Sequence, residues 1–171
     1  MGLEVGDYKL HIEVVVGSKN DLFQLSEGLN ILRQYGHSFH VSVMSCHRNV
    51  DELPGFVRNV LSKADRVIAC AGKAAALPGM IKSYLSSFGH SEIPVIGVAL
   101  KGETSEDDRD ATGSIKGLPG QPVELDESGE AYFGPNGFYA ACVSAIQNEF
   151  LPKHVETKPA EIGVLTSASL V

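Results

Sequence analysis

The segment Ser45-Cys46-His47-Arg48 places a hydroxyl, a thiol, an imidazole and a guanidinium within four residues. A guanidinium is a planar fork of donors suited to phosphate. Histidine is the side chain type that ordinarily titrates near neutrality, so the pair can bind an anion and move a proton. Cys46 reads as a packing residue, because its direction alternates with that of its neighbours. Two other segments carry comparable chemistry. In Gly17-Ser18-Lys19-Asn20-Asp21, glycine permits a tight exit from a strand, and the free N–H groups of the following helical turn attract anions. Ser18 adds a hydroxyl. Asp21 would oppose a phosphate directly but suits ribose hydroxyls. Helix capping by Ser18 or Asn20, with Asp21 complementing the helix dipole, explains the same residues equally well. In Ala71-Gly72-Lys73-Ala74-Ala75-Ala76-Leu77-Pro78-Gly79, small side chains let a ligand or a neighbouring chain approach the backbone, and Lys73 adds a cation. A plain strand-to-helix turn begun by Pro78 is the alternative there, as a solvated His-Arg pair is for residues 47 and 48.

The elements between these segments decide whether they can meet. Residues 8–16 end in Val14-Val15-Val16, a β-branched run fit for a central strand. Residues 20–35 carry Leu22, Leu25, Leu29 and Leu32 at helical spacing, and Gly36 stops that helix. A strand over 39–44 follows, then a helical stripe of Leu53, Phe56, Val57, Val60, Leu61 and Ala64. Residues 66–70 form a third strand, Met80, Ile81, Tyr84, Leu85 and Phe88 mark a third helix, and 94–99 form a fourth strand. Alternation with short connections predicts an α/β, doubly wound parallel sheet. In such a sheet ligands bind outside the carboxyl ends of the strands, where all three segments fall. The second half is less regular. Residues 101–110 read as an acidic surface loop, 111–116 as a short helix, 122–125 as a short final strand, and 126–130 as a turn. A helix begun by Pro135 runs to about residue 150, with Phe138, Cys142, Ala145 and Ile146 inward.

Composition narrows the function classes. With 171 residues, one domain is expected, with a core at about 8–150 and a tail at 151–171. A net charge of −7 disfavours a large nucleic-acid surface but not an anionic small molecule, which local donors decide. No apolar run approaches the ~20 residues of a membrane helix, and the first nine residues lack the apolar core of a secretory signal. Three cysteines (Cys46, Cys70, Cys142) at unrelated spacings argue against a disulfide framework and fit a reducing cytoplasm. His11, His37, His40, His90 and His154 are scattered and form no recognised ligand spacing, so no metal site is expected.

Taken together, the segments at 17–21, 45–48, 71–80 and 94–98 resemble those of the PurE proteins of purine biosynthesis, in that family's order and spacing over most of residues 14–150. These enzymes rearrange N5-carboxyaminoimidazole ribonucleotide to 4-carboxyaminoimidazole ribonucleotide, or, in a second class, carboxylate aminoimidazole ribonucleotide with CO2. The resemblance implies a flavodoxin-like three-layer αβα sandwich, no metal or organic cofactor, and a homo-octamer with active sites near subunit contacts. It also implies residue roles: Ser18 and Arg48 on the nucleotide phosphate, Asp21 on the ribose, and Ser45 and His47 against the imidazole and migrating carboxylate. His47 would shuttle the proton, and Gly17 would shape the first loop. The backbone of Gly72, Lys73, Ala74 and Leu77 would line the base and a transient CO2. Two positions point to the direct-carboxylase class: Ala76, where mutases usually have histidine, and Lys73, where mutases have a small residue and carboxylases arginine. Arg48 points back to the mutases, since the other class often has lysine there. A non-catalytic nucleotide-binding relative is the third reading.

Overall fold

Five strands form one parallel sheet: β1 (His11–Val16), β2 (Ser38–Val43), β3 (Arg66–Ala71), β4 (Val95–Ala99) and β5 (Tyr132–Phe133), with β1, β3 and β4 buried almost throughout and β2 a partly exposed edge. The computed structural model describes residues 8–162. Strand order is β2-β1-β3-β4-β5, with every pair parallel. Side chains alternate across a strand, and the core divides accordingly. On one face Ile12, Val14, Val16, Ile68, Cys70 and Val98 pack against α1 (Ser26–Gln34) and α5 (Gly134–Gln147). On the other, Val15, Val67, Ala69, Val95 and Ala99 meet α2 (Leu53–Asn59), α3 (Leu77–Ser87) and α4 (Ser105–Lys116). This is the doubly wound parallel sheet expected from the alternation, in the three-layer αβα sandwich that the resemblance implied.

Three local readings need correction. The helix expected over 20–35 begins as a 3₁₀ helix (Lys19–Leu25) before α1. Leu22 is 39% exposed there and does not join the apolar stripe, while Leu25 and Leu32 are fully buried. The acidic run at 101–110 is not all loop, because α4 starts at Ser105. Thr104 caps it by accepting from the Asp107 N–H at 3.1 Å, and Glu106, Asp107 and Asp108 in the first turn complement the helix dipole. Finally, residues 122–125 do not make the last strand. Glu124 forms only a bridge to Ile96, and the chain leaves through a turn in which the Asp126 carboxylate accepts from the N–H groups of Ser128 and Glu130. It returns to pair Tyr132 and Phe133 with Val98 and Ala99.

Beyond α5, residues 148–162 form no helix or strand, but 153–155 are tied to the body of the protein. Lys153 pairs with Glu124 at 2.7 Å, and the Val155 N–H donates to Ser86 Oγ at 3.1 Å. All three cysteines are buried and unpaired. Among the described residues no helix is long and apolar enough to cross a membrane.

Candidate functional site

The loops that leave β1, β2, β3 and β4 gather at the carboxyl edge of the sheet and enclose a cleft of ≈ 670 Å³, within the size range of small-molecule sites. Backbone hydrogen bonds carry the sheet ladder up to the cleft floor. The Gly17 N–H donates to Cys70 O at 3.1 Å, Met44 N–H to Val16 O at 2.9 Å and Leu100 N–H to Ala71 O at 2.9 Å. The floor is therefore rigid, and the loops above it differ only in what their own side chains organise.

The loop after β2 is built around Ser45. Its hydroxyl oxygen accepts from the N–H groups of His47 (3.4 Å) and Arg48 (3.2 Å), while Asn49 Oδ1 accepts from the Ser45 N–H at 3.0 Å. A serine in this geometry sets a turn and still has its O–H to donate. Arg48 then reaches across, and its Nη2 donates to the Gly17 carbonyl at 2.9 Å, joining the second loop to the first. Cys46 is buried as expected, and its Sγ lies 3.7 Å from His47 Nδ1. Burial pushes the Cys46 thiol up, which keeps it protonated and unsuited to nucleophilic work. The exposed His47 ring keeps its other nitrogen for a ligand.

In the first loop, the Ser18 side chain accepts from the Asn20 N–H at 3.2 Å, so the capping role is real; the hydroxyl hydrogen remains available. Asp21 is half-buried, and desolvation holds its carboxyl above the usual carboxylate range. In the third loop, Lys73 adopts φ +52, a left-handed conformation uncommon for a residue with a Cβ, and the Ala76 N–H turns back to Ala74 O at 2.8 Å. At Gly79 a Cβ would lie 2.7 Å from a terminal methyl of the half-buried Leu118, which would have to move.

All of Gly17, Ser18, Asp21, Ser45, His47, Arg48, Gly72, Lys73, Ala74 and Leu77 line this one cleft. Sequence reasoning missed its fourth wall, Lys101, Gly102 and Glu103, together with Asn20 and the aromatic Phe23, which is 75% exposed. That wall is held by a buried amide. Gln24 Oε1 accepts from the Lys101 N–H at 2.9 Å, and its Nε2 donates to the Lys101 carbonyl at 3.0 Å. The usable signal was the position of 101–103 just past a strand's carboxyl end, hidden by the acidic composition that follows. The lining carries Arg48, Lys73 and Lys101 against Asp21 and Glu103, a local positive excess in a chain of net charge −7. Such a cleft can hold an anionic ligand by phosphate donors at one end and place an imidazole beside its reacting part.

The histidines expected to be scattered are not all apart. Parallel pairing of β1 with β2 brings His11 and His40 to Glu13, with ligand atoms all within 4.8 Å of one another.

Residues 11–162 match the family profile described as AIR carboxylase. The chain belongs to the AIR carboxylase family. It is similar to the N5-carboxyaminoimidazole ribonucleotide mutase of Methanocaldococcus jannaschii, 38% identical over 111 residues that cover 64% of each protein. It is also similar to the phosphoribosylaminoimidazole carboxylase of Ogataea methanolica, 37% identical over 114 residues that cover 66% of this chain but 20% of the fungal protein. The chain thus spans about a fifth of the fungal relatives and under two thirds of the archaeal one. Treponema denticola PurE has the same fold, with a TM-score of 0.52 at 11% identity over 80% of this chain and 86% of that one.

Proposed function

We propose that this AIR carboxylase family member makes 4-carboxyaminoimidazole ribonucleotide by rearranging the N5-carboxylated isomer. The observation that carries the reading is the convergence of the Ser45-His47-Arg48 loop with Gly17, Ser18 and Asp21 in one cleft. Arg48 and the Ser18 hydroxyl serve the phosphate, Asp21 the ribose, and the backbone from Gly72 to Leu77 the base. The N5–carboxylate bond breaks, its electron pair stays on N5, and CO2 is held while the electron-rich C4 attacks it. C4 loses one proton and N5 gains one, so the reaction is proton-neutral. A single imidazole at His47 can serve both ends, with the Ser45 hydroxyl orienting the carboxylate. Exclusion of water keeps CO2 from escaping.

A second reading, direct carboxylation of aminoimidazole ribonucleotide by CO2, draws on Lys73 and on Ala76 lining the cleft where mutases usually carry histidine. The same proposal takes the working form as a homo-octamer and residues 8–150 as the core, with a tail at 151–171 of which 163–171 lie outside the described residues. Three buried unpaired thiols favour a reducing, cytoplasmic setting.

The test is an ultraviolet assay of His47→Asn and the parent protein with both candidate substrates. The variant should bind nucleotide but turn over ~10²-fold or more slowly, the usual scale for a positioned acid–base group. Near-full turnover by the variant would reduce His47 to a binding residue. Binding without turnover of either substrate by the parent protein would favour a non-catalytic relative.

A further inference from the structure

At the end of the sheet away from the cleft, β1 and β2 assemble a second polar cluster. Parallel register sets His11 beside Ser38 and Glu13 beside His40, and the strand repeat puts His11 and Glu13 on one face. Glu13 Oε1 lies 2.8 Å from His11 Nε2 and 3.0 Å from His40 Nδ1. The carboxylate is 1% exposed, yet its Oε2 is buried with no hydrogen-bond partner among the described residues. A buried carboxylate with half its lone pairs unserved is costly unless something else is bound there.

We propose that His11, Glu13 and His40 bind a first-row divalent ion of the zinc type. Two imidazole nitrogens and one carboxylate oxygen make a three-ligand zinc set that leaves a position for water, whereas Mg²⁺ or Ca²⁺ would call for oxygens alone. The His40 side chain is 72% exposed, so that fourth position opens to solvent. Ligands ~2.0–2.1 Å from a tetrahedral ion lie ~3.3 Å apart, a few tenths of an ångström beyond the two spacings to Glu13 Oε1, and the two imidazole nitrogens lie within 4.8 Å of each other. The exposed His40, on the edge strand, can supply that shift. A second contact fits the same assignment. His11 Nδ1 lies 3.0 Å from Ser38 Oγ, which reaches the Leu10 carbonyl at 3.4 Å. A metal-bound histidine usually gives its other N–H to such a partner, which orients the ring and selects the tautomer. The bound ion cross-links the edge strand β2 to β1, well apart from the cleft residues.

The full-length protein is titrated with zinc ion alone, in competition with a chromogenic chelator, and its melting temperature is followed. One zinc per chain and a melting temperature that rises with free zinc are expected, since an ion bound only by the folded state stabilises it. His40→Ala, at an exposed position, should fold and bind at least tenfold more weakly; His11→Ala should do the same. The proposal is overturned if the parent protein binds zinc no better than His40→Ala. Cobalt substitution separates this site from the cysteines. Absorption from nitrogen and oxygen ligands without a thiolate charge-transfer band supports the assignment, and a thiolate band refutes it.

Discussion

Removing the Arg48 guanidinium separates ligand binding from folding, because the same group does little for the fold. Among the described residues its one side-chain hydrogen bond is the 2.9 Å contact to the Gly17 carbonyl, on an exposed side chain. Water replaces such a bond readily, so Arg48→Ala should cost about 0.5–1 kcal/mol of stability at most. With a nucleotide in the cleft, the lost interaction is an ionised hydrogen bond to phosphate, ordinarily about 1.5–3 kcal/mol. Partial exposure places it near the middle, about 2 kcal/mol, which is about a 30-fold rise in Kd at 25 °C. Arg48→Lys keeps the charge but not the fork that holds the Gly17 carbonyl and a phosphate together, so about half the loss should return. Titration calorimetry with 4-carboxyaminoimidazole ribonucleotide and with its dephosphorylated nucleoside is the assay. The 30-fold weakening should appear with the nucleotide and vanish with the nucleoside. Equal weakening for both would refute the phosphate assignment. A melting temperature that collapses in Arg48→Ala would instead make the residue a strut between two loops.

Two further outcomes follow from the packing and from the burial of Asp21. Gly28→Ala in α1 should gain about 1 kcal/mol of helix propensity, but its Cβ would lie 2.5 Å from the Phe138 ring and 2.9 Å from Cys142 Sγ, both fully buried. Because both groups are fully buried and cannot yield easily, overpacking of about 2–3 kcal/mol should win, giving a net loss of about 1–2 kcal/mol in urea melts, partly recovered by adding Phe138→Leu; an unchanged midpoint would contradict this. Because burial raises the Asp21 carboxyl pKa, the folded state favours its protonated form, and ionisation as pH rises through that raised value costs stability. Asp21→Asn should therefore melt higher than the parent at neutral pH, with the gap closing below the ordinary carboxylate range, and should bind nucleotide more weakly. A gap that does not narrow on acidification would mean that burial of the charge is not its cause.

What the sequence settled was whatever local pattern encodes. Valine runs and helical stripes specified alternating strands and helices, and that alternation placed residues 17–21, 45–48 and 71–77 at one edge. All ten residues named for the site stand around a single cleft there. What it left open depended on contacts between residues far apart in the chain. Gln24 clasps the Lys101 peptide across 77 residues, and no periodicity in either segment announces it. The last strand is Tyr132–Phe133 rather than 122–125, because the Asp126 turn breaks the edge in two. His11, Glu13 and His40 meet because the β1–β2 register sets Glu13 against His40, and a slip of one residue would send the partner side chain to the opposite face. Spacing along a chain reports which face a residue takes; only the pairing of strands decides which residue it meets there.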